Sequence, residues 1–341
     1  MLLKIKILGI LFLSIGFFPV LASAQEFNKI FYYVEGKKSS ASFEKNAPHI
    51  DIVAPQAYGV NAKGDLSGGP TEKFLEVARK HGVKIMPLVV NGGFSSSTLG
   101  KILDDKKIQD KIVKAMIEEA KKEGYIGWQF DFEQMTADRR DQYSAFVKRA
   151  YPQFRKEGLV FSVAVIAQFS ENPADYPKNL WHRVIGAYDY QVLGENSDFL
   201  SLMTYDQADS KGPVASFPWV KKVVQFAMTK VPPNKLSLGI PFYFWKWDQA
   251  TGKLVDIGGY GRVAELIDTP QVIRWGWDPS LQVAFVDYFY NRKKYTTWYE
   301  NAKSFSSKMD LVKYYKLHGF SAWTLGLEDP KIYEVVKTRE I

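Results

Sequence analysis

An α/β fold, a closed (β/α)8 barrel with a small α+β insertion between its seventh and eighth strands, is predicted by three features of this 341-residue sequence. Eight short apolar runs alternate with amphipathic segments, the pattern of parallel strands joined by helices. Three of the helical segments stop at or just before a glycine, at Gly82, Gly124 and Gly158, as a helix does before the chain turns into the next strand. No glycine-rich phosphate loop follows the first run, which argues against an open doubly wound sheet.

Taken in order, strands are expected at 29–34 (KIFYYV), 50–58 (IDIVAPQAY), 84–90 (KIMPLVV), 127–133 (GWQFDFE), 159–167 (LVFSVAVIA), 199–205 (FLSLMTY), 236–241 (LSLGIP) and 319–325 (GFSAWTL). Helices are expected at 71–81, 108–123, 137–156, 218–230, 298–317 and 330–337. The interval 243–295 is too long for one helix. It alternates apolar and polar residues around turn-rich pieces and a turn at 291–294, so it reads as a small lobe forming one wall of a cleft. The serine run 95–97 matches no phosphate-loop spacing and reads as a loop.

The fourth strand is unusual. Gly127, Gln129, Asp131 and Glu133 point one way and Trp128, Phe130 and Phe132 the other. One face is aromatic and suited to burial against helices. The other carries three polar groups, two of them acids, and an unpartnered buried acid costs several kcal/mol, roughly. Such a face holds a hydrogen-bonded network or lines a cavity where chemistry is done, and the pair sits at the C-terminal strand end, where parallel barrels place catalytic residues.

Composition narrows the rest. Hydrophobic residues at 46% over this length suffice for a large core, and nine Trp with nineteen Tyr give weak support for sugar binding. The formal charge of +8 becomes +6 if residues 1–24 are removed with Lys4 and Lys6. No basic run or nucleic-acid motif accompanies it, so the surplus reads as solvated surface. Residues 1–24 have the form of a secretory signal: a short basic start, an apolar run over 7–21 broken by Gly16 and Pro19, and Ala22, Ser23 and Ala24 before a cut at Gln25. The mature protein is then secreted or periplasmic, with no stable membrane insertion. Cysteine is absent, so neither disulfides nor thiolate metal sites contribute. His49, His81, His182 and His318 show no metal-binding spacing.

The chain resembles glycoside hydrolase family 18, the chitinase-like barrels, and within it the branch of bacterial spore-cortex N-acetylglucosaminidases. The likeness rests on GWQFDFE, AYDYQVLGENSDFLSLMTYD, NKLSLGIPFY and WYENAKSFSSKMDLVKYYKLHGFSAWTLGLED, and runs over almost the whole mature chain. It implies a retaining hydrolase without a protein nucleophile, in which the 2-acetamido group of the sugar attacks its own anomeric carbon. The implied catalytic residues are Glu133 as acid and base, Asp131 as partner of the acetamide N–H, and Tyr205 as donor to the acetamide carbonyl. Trp323 matches the tryptophan flooring the reacting subsite. Asp206 and Met203 are further candidates for substrate contact, as are Gln129 and, near strand ends, Tyr33, Gln56 and Asn91. No cofactor is implied, and the partner is an N-acetylglucosamine-containing polysaccharide or oligosaccharide, chitin or peptidoglycan.

Two positions depart from the family's D-x-x-D-x-D-x-E pattern, which here has Ile126 and Gln129 at its first two acids. An amide at 129 cannot share a proton with its neighbour, so Asp131 is expected to stay more fully ionised. The alternative from another class is a non-catalytic glycan-binding protein on the same barrel, or a scaffold whose inserted lobe binds a partner protein.

Overall fold

A computed structural model of the chain describes residues 28–207 and 211–338. The expected signal at 1–24 lies outside these residues. Eight parallel strands close into a barrel: β1 (Asn28–Tyr33), β2 (Ile52–Val60), β3 (Leu88–Asn91), β4 (Gly127–Asp131), β5 (Val160–Ile166), β6 (Phe199–Met203), β7 (Leu236–Pro241) and β8 (Gly319–Trp323). Each pairs with its neighbours in sequence, and β1 joins both β8 and β2 to complete the ring. The third strand is broken where one continuous strand was expected. Lys84–Ile85 and Leu88–Asn91 pair separately with β2, and Pro87, with no N–H to offer a ladder, lies between them.

The alternation expected of β4 is present. Trp128, Phe130 and Phe132 are fully buried on the outer face, where the Phe130 ring meets Phe146 at 5.2 Å and Phe161 at 4.7 Å. The Trp128 indole N–H donates to the Met116 carbonyl at 2.8 Å. Gly127 allows the close approach of β5, since a Cβ there would sit 1.9 Å from the Val160 carbonyl oxygen. Inside the barrel, Ile30, Tyr32, Ile52, Ala54, Met86, Leu88 and Phe199 form a separate apolar plug.

Among the helices, Glu72–His81 starts on a Thr71 cap and Lys106–Glu123 on an Asp105 cap. The latter ends at Gly124, whose φ of 73° is the left-handed value a terminating glycine supplies. The helices that escape the sequence reading include Lys37–Asn46, Ser96–Asp104, Leu180–Arg183 and Tyr190–Glu195. Lys37–Asn46 is serine-rich and held by tertiary contact, its Phe43 ring stacked on Phe74 at 5.0 Å. Ser96–Asp104 replaces the expected loop, because Ser95 accepts from the Thr98 N–H at 3.2 Å and caps a turn that buries Leu99, Ile102 and Leu103.

The insertion is a five-stranded antiparallel sheet, in the spatial order Leu254–Gly259, Tyr243–Asp248, Lys293–Tyr299, Val283–Tyr290, Val272–Asp278, with one helix, Tyr260–Ile267. Its last strand takes Trp298 and Tyr299, so the helix expected from 298 begins at Ala302, where Asn301 and Ser304 form a reciprocal cap. The lobe is tied to the barrel by the Tyr260 N–H donating to the Leu327 carbonyl at 2.8 Å. Beside it, the fully buried Lys308 ammonium meets Glu300 at 2.7 Å. Among the described residues, no helix is long and apolar enough to cross a membrane.

Candidate active site

Hydrogen bonding between strands carries β4 as far as Asp131, and Glu133 lies beyond it. A side chain takes over where the ladder stops. Asn91, at the end of β3, accepts from the Glu133 N–H at 3.0 Å and donates to the Glu133 carbonyl at 3.1 Å. Tyr188 adds a 2.8 Å bond from its hydroxyl to the Phe132 carbonyl. The backbone carrying the second acid is therefore fixed from two directions.

The two carboxyl groups share a hydrogen bond, and Gln56 donates to Asp131 Oδ2 at 3.3 Å. Burial pushes the Asp131 carboxyl up to about 6, opposed by these hydrogen bonds. Burial also raises Glu133, and the charges of Asp131 and Asp206 raise it further, to about 8. The proton of the pair thus rests on Glu133, which donates to an ionised Asp131 at neutral pH. The Gln129 amide is taken up elsewhere, and it is loss of water around Asp131 that lifts its carboxyl.

Above the acids opens a cavity of about 400 Å³, lined by Asp131, Glu133, Gln56, Met203, Tyr205, Asp206 and Trp323 among others. Tyr205 lies two residues past β6. Loss of water around its half-buried phenol raises it well above its ordinary value, so it stays a neutral O–H donor. Asp206, next in the chain at a φ of 58° and exposed on the cavity wall, accepts from the Tyr243 hydroxyl at 2.5 Å. Trp323 ends β8 with its ring 5.3 Å from that of Tyr32. Phe169, Tyr176, Leu180 and Trp219 add an apolar part to the lining.

Three expected contact residues do not line this cavity. Tyr33 points outward, bonding Ser40 at 2.8 Å and packing on Phe74 at 4.7 Å, because successive residues of β1 face opposite ways and Tyr32 takes the inward place. Gln129 is buried a layer deeper, accepting from the Tyr32 hydroxyl at 2.7 Å and donating to Ser162 at 2.9 Å. Asn91 is fully buried as the clamp on Glu133. Conversely, Tyr32, Tyr243 and the Phe169–Tyr176 wall were missed. Tyr32 sits in an all-apolar run where alternation has no phase to read, and the others lie on loops and the inserted lobe. Among the described residues, no three His, Cys, Asp or Glu side chains converge as metal ligands.

Comparison with known proteins identifies the family and the fold. The family model for glycosyl hydrolases family 18 matches residues 25–328. A Bacillus subtilis (strain 168) protein described as an uncharacterized glycosylase, YvbX, is 27% identical over 317 residues, covering 89% of each chain. The cortical fragment-lytic enzyme of the same organism is 26% identical over 84% of this chain and 67% of its own. In fold, the chain superposes on the spore cortex-lytic enzyme SleL of Bacillus megaterium with a TM-score of 0.81, at 24% identity, covering 93% of this chain and 75% of that one.

Proposed function

The chain belongs to glycosyl hydrolase family 18 and is a glycosidase, and we propose that it cleaves β-1,4 bonds at N-acetylated hexosamines by substrate-assisted catalysis. Glu133 gives its proton to the departing glycosidic oxygen. The substrate's acetamide oxygen attacks the anomeric carbon as that bond breaks, forming an oxazolinium-like intermediate. Asp131 accepts the acetamide N–H and balances the developing positive charge, while the Tyr205 hydroxyl donates to the acetamide oxygen and orients it. Glu133, now ionised, takes a proton from water as the water opens the ring with net retention.

The observation that carries this reading is that both acids and Tyr205 line one cavity, with the raised carboxyl of Glu133 as the proton donor. Glycans of the peptidoglycan type are favoured over chitin, supported by the likeness to cortical fragment-lytic enzymes. Export by the signal at residues 1–24 fits a polymer outside the cytoplasm.

The test is release of a reporter group from short N-acetylglucosamine oligomers by the mature protein and by Glu133→Gln. Turnover lost by roughly a thousandfold or more in the variant supports the proposal. Binding of the oligomers with no turnover in either protein would establish a non-catalytic glycan binder instead.

A further inference from the structure

The inserted lobe has two faces. One packs against its own helix through Phe244, Val286, Tyr288 and Tyr299. The other holds a second concavity of about 560 Å³, lined by residues distinct from those of the catalytic cavity.

The strand register arranges this second face in two parallel rows. Gly276, Phe285, Trp298 and Trp245 stand opposite one another across four strands. One step along lie Arg274, Asp287, Thr296 and Trp247. The first row is aromatic, with the Phe285 and Trp298 rings 5.5 Å apart and half-buried. Gly276 leaves the Phe285 end of the row open, having no side chain to cover it.

In the second row Arg274, Asp287 and Thr296 are polar and already paired with one another. Asp287, nearly fully buried, accepts from Arg274 Nε and from the Thr296 hydroxyl, each at 2.6 Å, and Gln249 donates to Thr296. The Arg274 guanidinium lies 5.0 Å from the Phe285 ring centre. Flat rings beside fixed, planar hydrogen-bonding groups match the chemistry of a pyranose, which offers an apolar C–H face and a rim of hydroxyl and amide groups. Prearranged polar partners also reduce the ordering cost of binding.

Continuity with the catalytic cavity identifies the occupant. Trp245 packs with Tyr243, and that cluster reaches Tyr205 and Trp323 on one side and Trp247 on the other. The Trp245 and Trp247 rings meet edge to face at 5.6 Å. A line of aromatic residues thus leads from the candidate active site to the lobe face.

We propose that the groove over Phe285, Trp298 and Arg274 is a second glycan-binding site, which holds a strand of the same β-linked N-acetylhexosamine polymer while another part of it occupies the catalytic cavity. The inference rests on the reading that the substrate is such a glycan.

The test measures two quantities for wild type, Phe285→Ala, Trp298→Ala and Trp298→Phe. Retention on insoluble chitin and on purified sacculi is read in a Glu133→Gln background, so the polymer is not digested. Turnover of a soluble N-acetylglucosamine trimer reporter is read with Glu133 intact, and also reports folding. The two alanine variants are expected to lose retention by about fivefold or more while trimer kcat/KM stays within about twofold, and Trp298→Phe is expected to keep most of the retention.

Unchanged retention in both alanine variants overturns the proposal, as does a parallel loss of trimer turnover. So does a wild-type dimer that Trp298→Ala dissociates while polymer binding persists. If no variant and not even wild type turns over the trimer, yet Trp298-dependent retention remains, the hydrolytic reading fails and the groove stands.

Discussion

Asn91 grips the peptide backbone of Glu133 with both ends of its carboxamide, accepting at 3.0 Å and donating at 3.1 Å. It does for Glu133 what a neighbouring strand does for the residues before it, and it makes a third bond to the Ser95 carbonyl at 3.1 Å. Asn91→Ala leaves buried groups unpaired and lets Glu133 drift. We expect stability to fall by about 1–3 kcal/mol and kcat by roughly 10- to 100-fold, with KM changed far less. Denaturant unfolding and steady-state kinetics check this. A kcat equal to wild type would mean that the clamp does not position the acid.

The acid pair sets a pH window. In the proposed mechanism Asp131 acts ionised, and it loses its proton near 6; Glu133 acts protonated, and it holds its proton to about 8. The rate is therefore expected to rise through pH 6 and fall through pH 8, in two steps that belong to the pair jointly. A kcat/KM profile from pH 4 to 10 measures it. Asp131→Asn removes the charge that helps raise Glu133, so the alkaline limb of whatever activity remains should move down.

Stability follows the same proton with a definite sign. In the unfolded chain Glu133 ionises near its ordinary 4.5, whereas in the fold it holds its proton to about 8. Between these values the unfolded state binds fewer protons, so the stability associated with protonated Glu133 is full below 4.5 and lost as pH rises through about 8. Glu133→Gln should therefore unfold at a higher temperature than wild type at pH 8.5, and at nearly the same temperature at pH 4. Thermal melts at the two pH values decide it, and an equal difference at both contradicts the assignment.

The junction of lobe and barrel depends on a buried ion pair. Lys308 Nζ lies 2.7 Å from Glu300, both almost completely shielded from water. Lys308→Met alone strands a buried carboxylate and should cost about 3–5 kcal/mol, whereas adding Glu300→Leu should recover much of that loss. Equilibrium unfolding of the single and double variants tests it. A double variant as unstable as the single one would show that specific polar contacts, and not charge burial, dominate here.

What the sequence reveals depends on whether a pattern has a phase. In GWQFDFE the acids alternate with aromatics, so the inward face is legible, and Asp131 and Glu133 line the cavity. In KIFYYV only the leading Lys29 interrupts a run of apolar and aromatic residues, too little to fix which tyrosine faces in; Tyr32 does, and Tyr33 packs outward on Phe74. Gln129 has the inward parity of the acids but lies too deep for substrate, at a height set by the barrel plug and its bond from Tyr32. Asn91 stands at a strand end as expected, but its partner is 42 residues away, a pairing that the parallel neighbours β3 and β4 create. The Phe169–Tyr176 wall comes from the connection after β5, whose path is set by irregular contacts within the loop, such as the three bonds of the Tyr176 hydroxyl to Phe169 and Ser170, that no helix or strand period signals.

The central claim is that the substrate's own acetamide acts as nucleophile while Asp131 and Tyr205 hold it. It is tested most directly by comparing turnover of an N-acetylglucosamine oligomer with that of the same oligomer bearing a 2-hydroxyl in place of each 2-acetamido group. The account predicts a loss of about a thousandfold or more for the hydroxyl compound, with retained β-configuration in the first product formed from the natural one. Comparable rates for the two compounds, or an initial α-product, would contradict it.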